Sequence, residues 1–200
     1  MSGGLRPDPI ESEGRDPTIP WICNHGQKKK DITNDLKLFK KYLSQKASEL
    51  VLKPADPKND RSTYLTLLET VFCRVILLNR RRPGELQRMY LHTYETSGYK
   101  ATYEEFNDLI SPAEKILLKH FKRVVTRAKR GRGVTFLFTL EVQDHIEQLE
   151  KCRENFVSKD NPFLFALPNS SSPIYGYKVL RKHALACSAK NPDALTATRL

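Results

Sequence analysis

The amino-acid sequence predicts a mainly α-helical domain with one small antiparallel β-hairpin, an α+β class. Three observations predict it. Hydrophobic residues recur at helical spacing from residue 31 to about residue 121, β-branched and aromatic residues flank a basic turn near residue 130, and helical spacing returns from residue 142 onward. With 200 residues, the chain is long enough for one domain with a hydrophobic core.

Residues 1–27 are predicted to form a disordered N-terminal arm, because they are rich in proline and glycine and show no hydrophobic period. The remaining residues, 28–200, are predicted to form one domain. Its first helix begins at Asp31, where apolar residues start to recur at helical spacing. The outer face of this helix is predicted to be basic and carries Lys37, Lys40, Lys41 and Lys46.

The second helix is predicted to lie in the centre of the domain. Ser62 or Thr63 can cap it after the loop PADPKND, and residues 64–78 are apolar on nearly every side of the helix. The sequence then changes abruptly to NRRRPGELQRM. Pro83 at a first helical position and Glu85 in the first turn begin a third helix, so three consecutive arginines lie at a helix junction.

Two capping boxes, Thr102 with Glu105 and Ser111 with Glu114, predict two short helices next. The segment FKRVVTRAKRGRGVTFLFT then predicts a β-hairpin, because β-branched and aromatic residues lie on both sides of a glycine-containing basic turn. The tip of this hairpin carries Lys129, Arg130 and Arg132.

Three further elements are predicted after the hairpin. Val142, Ile146, Leu149 and Phe156 define a helix, the segment PFLFALP is typical of a short buried strand, and Tyr177 begins the apolar pattern of a last helix.

The cysteines indicate a reducing compartment. Cys73, Cys152 and Cys187 fall inside predicted helices far apart in the sequence, so we expect them to be reduced and mostly buried. Cys23 and His25 have no second pair that would complete a zinc site, and we expect no metal or cofactor. No stretch approaches the roughly 20 apolar residues that span a bilayer, and the N-terminus lacks the apolar core of a signal peptide. We therefore expect a soluble intracellular protein without a membrane partner.

The net charge of +11 suits a polyanionic partner: DNA, RNA or an anionic membrane surface. Residues 115–133 contain eight lysines and arginines and no acidic residue, which favours phosphate binding. A solvated basic face or a nuclear localisation signal is the alternative. The hairpin favours duplex DNA, because a two-stranded ribbon can present its tip to a groove. The candidate DNA-binding residues of this segment are Lys122, Arg123, Arg127, Arg130 and Arg132.

The arginine cluster Arg80, Arg81 and Arg82 is the second candidate site. An arginine held rigidly at the end of a buried helix could offer paired N–H donors to a phosphodiester in reaction. Glu85 could orient the guanidinium of Arg81 or Arg82, although pairs at this spacing usually only stabilise a helix end.

These two clusters, in this order, resemble the catalytic domain of the tyrosine recombinase and phage integrase family. RRRPGEL is similar to the first box of that family, so the resemblance implies that Arg82 is the first catalytic arginine and Glu85 its acidic companion. TRAKRGRGVTFLFT is similar to the family's strand pair, which implies that Lys129 is the catalytic lysine, with Ala128 in place of the usual glycine. Arg80 and Arg81 match no fixed family position and remain DNA-binding candidates.

The resemblance covers roughly residues 30–200. The ending LTATRL is similar to the start of the family's second box, so we expect a domain that is truncated before the second catalytic arginine and the tyrosine nucleophile. NRRRPGE, LSPAEK, AKRGRG and LTATRL together resemble the recombinase-derived proteins of Crypton-type mobile elements.

The resemblance also implies a chemistry. In the family, the arginine clamps the phosphate that a tyrosine attacks, and the lysine protonates the departing 5′ oxygen. It implies nuclear duplex DNA as the partner, no metal, cofactor or small-molecule ligand, and a homo-oligomer on DNA. For this chain we expect DNA engagement without cleavage. Two alternatives stay open: a non-enzymatic DNA-binding module, and a basic protein-interaction or RNA-associated domain.

Overall fold

The computed structural model describes residues 20–52, 60–97, 111, 120–127 and 132–195. The elements in these ranges are α1 (Pro20–Leu52), α2 (Arg61–Asn79), α3 (Pro83–Leu86), α4 (Leu91–Thr96), β1 (Phe121–Arg127), β2 (Gly133–Thr139), α5 (Leu140–Phe156), α6 (Gly176–Ala186) and a 3₁₀ helix (Pro192–Leu195). The described chain is mainly helical and has one two-stranded antiparallel sheet, which confirms the predicted class.

Helix α2 lies in the centre of the domain, as predicted. It contacts α1, α3, α5, α6 and β2, and most of its residues are buried. The predicted caps, Ser62 and Thr63, are wrong: Asp60 is the N-cap, and its carboxylate accepts hydrogen bonds from the backbone N–H groups of both residues. A carboxylate has two oxygens and a negative charge that suits a helix N-terminus, so it serves here better than a hydroxyl.

Helix α1 begins at Pro20, earlier than the predicted start at Asp31 and inside the predicted arm. A proline fits the first turn of a helix. The segment that it begins, PWICNHGQKKK, has no hydrophobic period from which a helix could be predicted. Phe39, Leu43 and Ala47 are fully buried in the core. Lys37, Lys40 and Lys41 are exposed and Lys46 is half-buried.

The side chain of Asp35 joins α1 to the end of the described chain. It is 3% exposed, and its two oxygens accept hydrogen bonds from the backbone N–H groups of Lys190 (3.0 Å) and Asn191 (2.9 Å). A buried carboxylate is stable here because charge-assisted hydrogen bonds replace its hydration.

The β-hairpin has a regular register, from Phe121 opposite Thr139 to Arg127 opposite Gly133. Helix α5 follows β2 without a loop, and the hydroxyl of Thr139 accepts a hydrogen bond from the backbone N–H of Val142. The base of the hairpin is therefore continuous with a helix that packs on α2.

The segment PFLFALP is buried, but it does not form the predicted β-strand. It forms two isolated bridges, Tyr90 with Phe163 and Ala166 with Pro173. The side chain of Asn161 organises this segment, because it donates to the carbonyls of Ser170 and Ser172. Its turns hold Phe165 edge-on against Phe72 at a centroid distance of 5.2 Å.

The three cysteines predicted to be reduced and buried, Cys73, Cys152 and Cys187, are free and buried. Among the described helices, none combines the length and the apolar composition that a bilayer-spanning segment requires. The predicted capping boxes lie outside the described residues except for Ser111.

Candidate nucleic-acid interface

The three arginines form a sharp turn between α2 and α3, called here the arginine turn (Arg80–Arg82). Arg80 is the C-cap of α2 and has a left-handed backbone (φ 49°), and its N–H donates to the carbonyl of Ile76. The left-handed residue ends the helix, and the buried Pro83 begins the next one. All three arginine side chains are exposed and form no ion pair with any described residue.

Asn79 connects the arginine turn to the hairpin. Its side-chain amide donates to the carbonyl of Leu137 (2.9 Å), and its side-chain oxygen accepts from the N–H of Leu137 (2.7 Å). Both groups of Leu137 point away from β1, so Asn79 occupies the free edge of β2. The arginine turn therefore starts directly after a residue that is bound to β2, at the level of Arg123 in the hairpin register.

The two faces of the hairpin differ in burial. Lys122, Val124 and Thr126 lie on one face, and Val124 packs into the core together with Phe136. Arg123 and Arg127 alternate with them on the opposite face, called here the outer face.

Lys122 differs from the other described members of the predicted DNA-binding set, because its ammonium contacts an aromatic ring of the fold. Its ammonium lies 3.8 Å from the centroid of the Tyr94 ring, and burial lowers its pKa although the carboxylates of Glu150 and Glu95 oppose this effect. A half-buried lysine in a cation–π contact is poorly placed to neutralise a phosphate.

Of the remaining hairpin candidates, three lie in the described part of the chain and two lie outside it. Arg123 is half-buried, Arg127 and Arg132 are exposed, and none of the three forms an ion pair within the described chain. Lys129 and Arg130 lie outside the described residues. Arg127 at the end of β1 and Arg132 just before β2 thus place described cations on both sides of the tip.

Glu85 does not orient Arg82 as the spacing suggested it could. The contact between them is a backbone one, in which the N–H of Glu85 donates to the carbonyl of Arg82 at 3.0 Å. Their side chains form no ion pair. The guanidinium of Arg82 is exposed and without the acidic companion that would fix its direction.

A separate polar cluster, missed in the sequence, lies between α2 and α5. The guanidinium of Arg74 forms an ion pair with Glu141 and donates to Nδ1 of His145 at 3.2 Å. The pKa of His145 is lowered by burial and by the charge of Arg74, although Glu141 and Asp144 raise it. Because arginine can only donate, His145 is neutral and accepts at Nδ1.

A second polar cluster joins α2 to α6. Glu69 is 6% exposed, and its carboxylate lies 2.6 Å from Nζ of Lys182 and 3.1 Å from Nε2 of His183. Burial opposes its ionisation, but the hydrogen bonds from His183 and Lys182 outweigh burial and lower its pKa. Arg74 is thus paired with Glu141, and the exposed Lys182 is paired with Glu69, so neither cation is free of an internal carboxylate.

A cavity of about 740 Å³ opens beside the arginine turn, between α1, the end of α2, the start of β1 and the start of α5. Its floor is apolar and includes Leu36, Leu77 and Val142. Its cationic lining residues are Lys37, Lys40, Arg74 and Arg80. The basic face of α1 therefore continues to the arginine turn along this cavity.

No sequence signal points to Asn79 as the link, since its partner lies 58 residues later. The described residues contain no cluster of three or more histidine, cysteine or acidic side chains that could hold a metal ion. Comparisons with protein-family models, with curated proteins and with solved structures find no match to the chain.

Proposed function

We propose that the chain binds duplex DNA through one surface, formed by the arginine turn and the outer face of the hairpin. The observation that carries the proposal is the contact of Asn79 with Leu137, because it joins the end of α2, where the arginine turn begins, to the strand that pairs with Arg123. Arginines without internal partners can each neutralise a phosphate and release a condensed counterion.

The proposed family is that of the tyrosine recombinases, with a catalytic-type domain of Crypton-type origin acting in the nucleus. The support is the order of the first-box residues Arg82 and Glu85, the hairpin, and Lys129 in its turn. The proposed activity is binding, with Arg82 and Lys129 descended from catalytic residues.

The proposal is tested by comparing two double variants of equal charge change. Arg123→Gln with Arg127→Gln removes two cations from the outer face of β1. Lys151→Gln with Lys159→Gln removes two exposed lysines near the far end of α5. Binding to a fluorescent duplex is measured by anisotropy over a range of salt concentrations.

The first variant is expected to lower the slope of log K against log salt by nearly two, because each phosphate contact contributes about 0.9. The second variant should leave the slope unchanged. Equal slope changes for both variants would mean that the net charge of the protein, and not a defined surface, attracts DNA. Tighter binding to structured RNA than to duplex DNA would favour the RNA-associated alternative.

Cleavage is tested separately with a nicked suicide substrate. Every tyrosine of the chain precedes the segment that resembles the second box, so no covalent protein–DNA adduct is expected. Arg82→Ala and Lys129→Ala should each weaken duplex binding by about as much as the loss of one phosphate contact. A trapped adduct that both substitutions abolish would establish catalysis and overturn the restriction to binding.

A further inference from the structure

The first turn of α6 lies against Phe72 of α2 and against Pro83, the residue that follows the arginine turn. A Cβ atom at Gly176 would lie 2.7 Å from Cβ of Pro83 and 2.6 Å from Cζ of Phe72, which is closer than a real side chain allows. The N–H of Gly176 donates to the side-chain oxygen of Gln87 at 3.1 Å. The residues on either side of Gly176 are therefore held near α3, which begins directly after the arginine turn.

Those two residues are exposed tyrosines. Tyr175 is 57% exposed and Tyr177 is 52% exposed. Tyr90 is equally exposed, but its ring stacks on Phe163 with centroids 5.4 Å apart. No aromatic ring in the described part of the chain stacks on Tyr175 or Tyr177. Two aromatic faces are thus open to a ligand beside the arginine turn.

A lysine lies next to one of these rings. Nζ of Lys178 lies 5.2 Å from the ring centroid of Tyr175, and α6 has no acidic residue. The other cations of α6 face carboxylates, since Arg181 lies 3.7 Å from Asp193 and Lys182 pairs with Glu69. Lys178 is the cation that remains at this end of the helix to meet an anionic ligand.

We propose that Tyr175 and Tyr177 form a stacking site for unpaired nucleobases next to the duplex bound at the arginine turn. This rests on the proposed function and specifies its substrate as duplex DNA with adjacent unpaired nucleotides. Every base has a π face, so stacking on tyrosine tolerates any sequence, and Lys178 provides a contact for the phosphate between stacked bases.

The test compares a blunt duplex with the same duplex carrying a short oligothymidine overhang, at the 3′ end in one probe and at the 5′ end in another. The wild-type chain is expected to bind one overhang probe about 5-fold or more tightly than the blunt duplex, the lower limit for stacking of one base. The double variant Tyr175→Ala with Tyr177→Ala should lose that preference and keep its affinity for the blunt duplex.

Tyr175→Phe with Tyr177→Phe is the matched control, because phenylalanine keeps the ring and should keep the preference. Photo-crosslinking with halogenated uracil in the overhang, followed by mass spectrometry, should place the adduct on Tyr175 or Tyr177. Urea unfolding of the alanine variant should match the wild type, since both rings are exposed.

Two outcomes would overturn the stacking site while leaving duplex binding intact: equal affinity of the wild type for blunt and overhang probes, or an overhang preference that persists in the alanine variant. A change of oligomeric state in the alanine variant, without any overhang preference in the wild type, would assign the tyrosines to a protein contact instead. Failure of the wild type to bind even the blunt duplex would refute the proposed function itself.

Discussion

Lys122 and Arg123 are neighbours in sequence and carry the same charge, but the alternation of a β-strand directs their side chains to opposite faces. Lys122 lies over the ring of Tyr94 and loses part of its hydration, which lowers its pKa. Arg123 has no ion pair with a described residue. We therefore expect that a count of cations along the segment overstates the number of phosphate contacts.

Replacing each residue by methionine separates the two roles. Arg123→Met should weaken duplex binding and lower the salt slope by about 0.9. Lys122→Met should leave the slope unchanged and lower the free energy of unfolding by about 0.5–2 kcal/mol, since it removes a partly buried cation–π contact. Anisotropy titrations and urea unfolding measure the two effects, and a larger slope change for Lys122→Met would contradict the assignment of faces.

His145 predicts a pH dependence of stability. Its pKa in the folded state is lowered by burial and by Arg74, so the unfolded chain binds more protons just below pH 6.5. Stability should therefore fall as the pH is lowered from about 7 toward 5, by at most about 1.4 kcal/mol per pH unit from this residue.

The control for this prediction is His145→Gln, in which the amide oxygen can still accept from Arg74 but cannot titrate. Urea unfolding at a series of pH values should give a shallower dependence for the variant than for the wild type. His183 is present in both proteins and cancels in the comparison. Parallel curves would show that His145 does not titrate as inferred.

At the scale of elements, Gly176 decides how closely α6 approaches α2 and the arginine turn. Gly176→Ala should lower the free energy of unfolding by about 1–3 kcal/mol, because its Cβ would overlap Phe72 and Pro83. Gly84→Ala is the matched control: its Cβ would lie 3.7 Å from the end of the Arg88 side chain, and the expected change is within about 0.5 kcal/mol. Thermal or urea unfolding distinguishes them, and similar losses in both would mean that the close packing at Gly176 relaxes.

The elements that could be predicted are those with local signals. The apolar run of α2 and the paired β-branched segments of the hairpin each carry their own pattern. PFLFALP carries an apolar pattern too, but the hydrogen bonds of Asn161 override it and fold the segment into turns. Helix α1 before Asp31 has no pattern to recognise.

The residues of the candidate site could be predicted from the sequence, but their arrangement in space could not. The arginines and the hairpin cations are visible as charge runs, whereas the inward direction of Lys122 depends on the strand register. The contact of Asn79 with Leu137 spans 58 residues, and that of Glu69 with His183 spans 114. Such pairs depend on packing, which periodicity does not encode.

At the scale of the whole molecule, duplex DNA should stabilise the fold by mass action. A duplex at about 100 times its Kd adds about 2.7 kcal/mol, and a chain of this size should then melt about 5–10 °C higher. The shift should disappear at high salt, where counterion release no longer favours binding. Thermal melting with and without duplex at two salt concentrations measures this, and an unchanged melting temperature at low salt would contradict DNA binding to the folded state.

Asp35 has a kinetic consequence for the whole molecule. Its hydrogen bonds to Lys190 and Asn191 join residues 155 and 156 positions apart, so they close a loop that includes most of the domain. The entropy lost in closing so long a loop disfavours forming it early, and we expect the contact to be made after the folding transition state. Loss of the carboxylate should then accelerate unfolding and leave the folding rate nearly unchanged. The hydrogen bonds of Asp35 are thus expected to slow unfolding and so to lengthen the lifetime of the native state.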